Sequence, residues 1–120
     1  MSHVIVAGGG AAGMMAAYAA AECGHRVVLL EQNEKLGKKL FITGKGRCNV
    51  TNACEREKLF ENMVSNPKFL FSAFSDFDNG QMMELLQEAG CPLKVERGER
   101  VFPVSDHSSD VIAALTRLLR

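Results

Sequence analysis

Residues Gly8-Gly9-Gly10-Ala11-Ala12-Gly13 form a GxGxxG pattern, and nothing else in the chain restricts its fold as much. Alone the pattern is weak, because glycine-rich hexapeptides arise by chance; context gives it force. His3 to Ala7 reads as a short buried strand (Val4, Ile5, Val6) that ends at the glycine cluster, where a tight turn is required. Gly10 to Cys23 reads as a helix whose small residues Ala16, Ala17, Ala20 and Ala21 allow close approach to a sheet, with Gly24 in the position of a C-terminal helix glycine. Arg26 to Glu31 reads as a second strand, and its continuous apolar run Val27, Val28, Leu29, Leu30 is that of a strand covered on both faces. Strand, helix, strand makes a βαβ unit and an α/β fold.

Each glycine then has a physical reason. Gly8 permits the sharp strand-to-helix turn, Gly10 lets the backbone approach a pyrophosphate, and Gly13 lets helix and strand pack closely. The diphosphate would sit at the positive end of the helix, among N–H groups with no partner inside it. Glu31 can accept hydrogen bonds from ribose hydroxyls, and its charge would repel the 2′-phosphate of NADP. The site therefore suits FAD or NAD.

Gln32 to Asn52 changes to Gly, Lys, Thr and Asn and reads as a loop with little regular structure. Glu55 to Met63, Pro67 to Phe74 and Gly80 to Ala89 read as helices. Leu93 to Pro103 reads as a hairpin with Arg97-Gly98 near its turn and Val95, Val101 and Phe102 as its buried residues. Ser108 is a candidate cap for a final helix with Asp110 in its first turn and Val111, Ile112, Leu115, Leu118 and Leu119 as its apolar stripe.

Composition sets the outer limits. A chain of 120 residues with 47% apolar and 23% charged residues suits one small domain or part of one. A formal net charge of zero supplies no field to gather a polyanion, so nucleic acid is not an expected partner. The apolar run Ala11 to Ala21 has no preceding Lys or Arg and is far shorter than the ~20 residues that span a bilayer. Neither secretion nor a membrane is expected, and a cytoplasmic location follows. Cys23, Cys48, Cys54 and Cys91 contain no CxxC pair and read as free thiols, a redox dithiol at Cys48 and Cys54 being the sharper alternative. His3, His25 and His107 are scattered, and no metal site is expected.

The βαβ unit does not separate FAD from NAD; the next segment bears on that. Gly37 to Asn52, GKKLFITGKGRCNVTN, and Gly98 to Leu115, GERVFPVSDHSSDVIAAL, resemble shared blocks of the bacterial BaiN/RdsA-type NAD(P)/FAD-dependent oxidoreductases, which have a glutathione reductase-like FAD-binding domain. The two blocks and the N-terminal βαβ unit fall in that family's order, so the resemblance covers essentially the whole chain. The resemblance implies that Gly8, Gly10, Ala11, Ala12 and Gly13 bind the FAD pyrophosphate and that Glu31 binds the ribose, with Gln32 and Lys39 also at the cofactor. It places Gly46, Arg47, Cys48 and Asn49 along the cofactor towards the flavin. Chemically, Arg47 brings a donor fork suited to phosphate or a flavin carbonyl, and Asn49 can both donate and accept. Cys48, lacking a positioned base or partner thiol, reads as packing, and His107 as a solvated residue. The implied activity carries hydride from NAD(P)H through FAD to a small organic acceptor that these residues do not name. The implied architecture is the N-terminal part of a Rossmann-like FAD-binding domain, incomplete by itself, since only two parallel strands can be assigned where a mononucleotide-binding half has three. Two rivals remain: an NAD-dependent dehydrogenase domain, and a non-catalytic dinucleotide-binding module.

Overall fold

The strand His3–Ala7 (β1), the helix Ala11–Glu22 (α1) and the strand Arg26–Leu30 (β2) follow one another as the glycine pattern requires, in a computed structural model that describes residues 1–120. β1 and β2 pair in parallel, His3 opposite Arg26, Ile5 opposite Val28 and Ala7 opposite Leu30. A parallel pair needs a crossover, and α1 supplies it. The helix ends in a Schellman arrangement: with Gly24 at φ 85°, its N–H donates to the Ala21 carbonyl (3.0 Å) and the His25 N–H to that of Ala20 (3.2 Å). The two strands are half-buried on the α1 side, through Val4, Val6, Val27 and Leu29. The other face carries Ile5 (70% exposed), Val28 (51%) and Leu30 (54%), so the apolar run of β2 is covered on one side and not on two. The reason is that α1 is the element packed on this sheet.

The segment after β2 is more ordered than its composition suggests. It contains a short helix Lys38–Ile42 (α2), a 3₁₀ turn Thr43–Gly46 and a two-residue strand Thr51–Asn52 (β3). Long-range contacts impose this order. The Gly37 N–H donates to the Gly9 carbonyl (2.8 Å), Gly37 packs under Ile112, and the Ser108 hydroxyl donates to the Phe41 carbonyl (2.6 Å). Local propensity contains none of these terms.

Helices Arg56–Glu61 (α3) and Phe71–Asp76 (α4) bury no residue fully and are tied together by Phe60, whose ring lies 4.6 Å from Phe71 and 5.6 Å from Phe74. The next helix, Asn79–Glu88 (α5), starts at a capping box that the sequence reading passed over. Asp78 accepts from the Gln81 N–H (2.9 Å) and Gln81 accepts from the Asp78 N–H (2.8 Å). Strands Leu93–Glu96 (β4) and Arg100–Pro103 (β5) form the expected hairpin and add to β3 in the order β3-β5-β4. Val101 and Phe102 are buried on the central strand, but Val95 is 53% exposed, because β4 is an edge strand. The last helix, Ser108–Leu118 (α6), is capped at His107 without a side-chain bond. Ser108 is its first helical residue, with the hydroxyl turned to α2, and is not the cap. Met14, Cys48, Leu86, Cys91, Val111, Ala114 and Leu115 make one core where α1, α5, α6 and the turn after α2 meet.

Candidate functional site

The glycine turn is built from close approaches that a side chain would prevent. Gly8 adopts φ 108°, a region that favours glycine, and its N–H donates to the Leu30 carbonyl (2.7 Å), which ties the turn to the end of β2. A Cβ on Gly13 would collide with the Gly8 carbonyl oxygen, so helix and turn touch backbone to backbone. A Cβ on Gly10 would meet nothing within 4 Å. Gly10 is the N-cap of α1, and the first helical hydrogen bond runs from the Met14 N–H to its carbonyl (2.9 Å), leaving the N–H groups of Ala11, Ala12 and Gly13 without intrahelical partners. Open space in front of free amides at a helix N-terminus has the form of a site that can accept a phosphate.

Glu31 does two things at the end of β2. Its Oε1 accepts from the Gly9 N–H (2.8 Å) and its Oε2 from the Asn33 N–H (2.7 Å), so it fastens the glycine turn to the chain leaving the strand. The bonds from Asn33 and then Gly9 hold its carboxyl below the ordinary glutamate range, and it is a carboxylate at neutral pH. Each oxygen retains a second lone pair, which a ribose diol can use. Gly9, given no role by the sequence, is also closely enclosed: a Cβ there would collide with the Leu36 side chain and crowd Glu31 at 3.3 Å. The only sequence signal for it was its place in the middle of three consecutive glycines.

A cleft of about 600 Å³ opens over this arrangement and brings together Gly8, Gly10, Glu31, Gln32 and Lys39 of the expected residues, with Lys38 and Asn33 in addition. A glycine turn open at Gly10, two lysines for anionic oxygens and an acidic group at the strand end, all lining one cleft, suit an adenosine diphosphate. A second cleft of about 740 Å³, lined in part by Leu36, Phe41 and Ile112, adjoins the first through Asn33 and Lys38.

The Gly46–Asn49 segment lies outside that cleft. Gly44 (φ 56°), Lys45 (φ 56°), Gly46 (φ 86°) and Cys48 (φ 60°) are all left-handed. Lys45 and Cys48 carry a Cβ, and the conformation costs each about 1 kcal/mol. A Cβ on Gly44 would come within 2.7 Å of the Asn49 nitrogen, whereas one on Gly46 would meet open space. The Asn49 amide donates to the carbonyls of Thr51 (3.0 Å) and Val101 (3.1 Å), so its Nδ2 is committed to backbone. Cys48 is 1% exposed in the core, and burial pushes its thiol up, against a smaller opposing bond from Thr43; it is packing. All four cysteines are free thiols.

Arg47 is turned to the protein. Its guanidinium lies 3.9 Å from the centre of the Phe102 ring, Nε donates to Asp106 Oδ1 (2.8 Å), and Nη2 pairs with Glu96 and with Asp106 (2.7 Å). Lys94 completes a ring of charges, reaching Asp106 at 2.8 Å and Glu96 at 3.2 Å. Arg47 and then Lys94 lower the Glu96 carboxyl, while Lys94 and then Arg47 lower that of Asp106. The role of Glu96, Asp106 and Lys94 as partners of Arg47 was not legible, since Lys94 and Glu96 lie far along the chain on β4 and Asp106 in the turn after β5. No three His, Cys, Asp or Glu side chains converge as a metal-binding group, and no helix is long and apolar enough to cross a membrane.

Residues 2–120 match the HI0933-like protein Rossmann domain. The chain belongs to that family. The HI0933-like chain is 35% identical to the 3-dehydro-bile acid delta(4,6)-reductase of Clostridium scindens over 122 residues, covering 100% of this chain and 29% of that protein. It is 35% identical to the ribosomal RNA dihydrouridine synthase of Escherichia coli over 86 residues, covering 72% of this chain and 21% of the relative. A shorter stretch, 61 residues at 44% identity, matches an L-amino-acid oxidase of Bungarus fasciatus over 51% of this chain and 10% of that protein. The chain thus spans less than a third of the length of these relatives.

Proposed function

We propose that this HI0933-like domain binds FAD through the cleft at Gly8–Gly13 and Glu31 and serves a flavin-dependent oxidoreductase in which NAD(P)H is the reductant. One observation carries the reading: Gly8, the open N-cap Gly10 of α1 and Glu31 line one cleft, at the end of a helix whose first-turn amides have no intrahelical partners. The protein's contribution there is to bind and orient. Ala11, Ala12 and Gly13 donate amides to the pyrophosphate, Lys38 and Lys39 offset its charge, and Glu31 accepts from the ribose. Bound FAD supplies the two-electron hydride chemistry, to which the chain adds position and electrostatics.

Residues 1–120 are read as part of a FAD-binding domain, a view supported by the uncovered apolar face of Ile5, Val28 and Leu30, which a further layer would bury. By this reading residues 1–120 alone show no NAD(P)H oxidation above that of free flavin. The acceptor is a small organic molecule and the location cytoplasmic. The balanced charge and the full-chain similarity to a bile acid reductase support the small acceptor. A second reading, an RNA acceptor, is favoured by the similarity to a ribosomal RNA dihydrouridine synthase. The deciding experiment purifies the full-length protein and its Gly10→Val variant and measures bound flavin by visible absorption. Wild type is expected yellow and Gly10→Val folded but colourless; wild type that retains NAD and not FAD overturns the reading. Steady-state reduction of an unsaturated steroid acid against a uridine-containing ribosomal RNA fragment separates the two acceptors.

A further inference from the structure

We propose that the ring Arg47, Asp106, Lys94 and Glu96 is a clamp that sets the Gly44–Asn49 turn for the cofactor. In it Glu96, Asp106 and Lys94 are positioning residues, and Arg47 holds the turn through them. The inference rests on the FAD-binding reading above and adds residues to it.

The turn has one free side and one anchored side. Gly46 faces open space, with no atom within 4 Å of where its Cβ would stand, while the neighbouring Arg47 is held on the protein. The anchor is closed: each of the two carboxylates meets both cations, and the ring sums to zero charge. Its partners come from far along the chain, 49 residues away at Glu96 and 59 at Asp106, so it fixes the turn against the β4–β5 hairpin. Lys94 and Glu96, two apart on β4, project from the same face, and Lys94 is the register partner of Phe102, over which the guanidinium lies. The other end of the turn is sewn to β5, where the Val101 carbonyl accepts from the Val50 N–H (2.8 Å) and the Asn49 amide (3.1 Å). Left-handed Cys48 lies between these two fixings and left-handed Lys45 just before the first, and both relax if either fixing is lost. An isolated surface ion pair would contribute little to such order, but a planar guanidinium that is stacked and shared by two carboxylates is pre-organised.

The test uses the full-length protein with Glu96→Gln, Asp106→Asn, Arg47→Gln, Arg47→Lys and the double variant Arg47→Gln/Glu96→Gln. FAD affinity is followed by flavin fluorescence, the surroundings of the bound flavin by visible circular dichroism, and order at residues 44–49 by amide exchange of the apoprotein. Each single change is expected to raise the FAD Kd about fivefold, and the double change no more than the larger single one, as groups acting as a unit do. Arg47→Lys fails to restore affinity because it lacks the fork, and amide exchange at 44–49 quickens in every variant while the neutral-pH urea midpoint of the apoprotein falls only by the small amount that exposed ion pairs contribute. If wild type binds FAD and Arg47→Gln alone weakens it, with Glu96→Gln and Asp106→Asn unchanged in affinity, dichroism and exchange, the clamp is refuted and Arg47 acts on the cofactor directly. If wild type binds no FAD, the cofactor reading falls, and unaltered exchange at 44–49 then refutes the clamp separately. Should Asp106→Asn fail to fold, Glu96→Gln and Lys94→Gln carry the same comparison.

Discussion

Gly10 and Gly13 lie in the same hexapeptide, yet substituting each by alanine is expected to fail in different ways. At Gly13, inside α1, the change ordinarily stabilises a helix by about 1 kcal/mol. Here the new methyl would occupy the position of the Gly8 carbonyl oxygen, and that carbonyl has little freedom to withdraw, because the Gly8 N–H is bonded to Leu30 at 2.7 Å. Overpacking costs about 1–3 kcal/mol, and a collision with so fixed a neighbour falls at the upper end of that range, so after the propensity gain a net loss of up to about 2 kcal/mol is expected. Gly10 is the opposite case. Its methyl meets nothing in the protein, and a non-bonding N-cap residue changes helix stability by only about 0.5 kcal/mol. The same methyl stands where the pyrophosphate would lie. Urea unfolding of the apoprotein and FAD titration of each variant separate the two: Gly13→Ala should shift the unfolding midpoint, and Gly10→Ala should leave it while weakening FAD about tenfold or more, roughly one 1.4 kcal/mol step. An unshifted midpoint for Gly13→Ala would show that helix and turn do not meet as described. Full flavin retention by Gly10→Ala would place the phosphates elsewhere.

Glu31→Gln keeps the shape of the side chain but removes its charge, and should raise the FAD Kd about ten- to a hundredfold by titration, the usual range for a charged hydrogen bond. Because Glu96 and Asp106 are lowered, their contribution to stability is present above the ordinary carboxylate values near ~4 and is lost as pH falls through their folded values. Lys94 is raised, so its share is fully present below the ordinary lysine value near ~10.4 and is lost only as pH rises through its folded value, while Arg47 stays charged throughout. Urea midpoints across acid pH should therefore fall less steeply in Glu96→Gln/Asp106→Asn than in wild type, and equal slopes would contradict this. Leu86→Ala, at a residue with no exposure, should cost about 2–5 kcal/mol by denaturant unfolding. Ser108→Ala strands the Phe41 carbonyl and should cost about 1 kcal/mol, with the loss appearing as faster amide exchange in α2.

What the sequence determined by itself was the βαβ unit and its glycine turn, because both are signalled by short stretches of chain. Val4–Val6, Gly8, Gly13 and Gly24 are read from apolar period or φ/ψ freedom and Glu31 from its position at a strand end, although its bond to Gly9 spans 22 residues. The β4–β5 hairpin was legible for the same reason. Tertiary structure alone decided where Arg47 points. A guanidinium is equally suited to phosphate and to carboxylate, and the choice was made by Glu96 and Asp106, brought to it by a hairpin dozens of residues away. It also ordered Lys38–Ile42 out of a glycine- and lysine-rich stretch, turned Ser108 from a cap into a tether for α2, and left Val95 on an exposed edge. In each case the deciding term was a contact between groups distant in sequence, a quantity that neither composition nor periodicity contains.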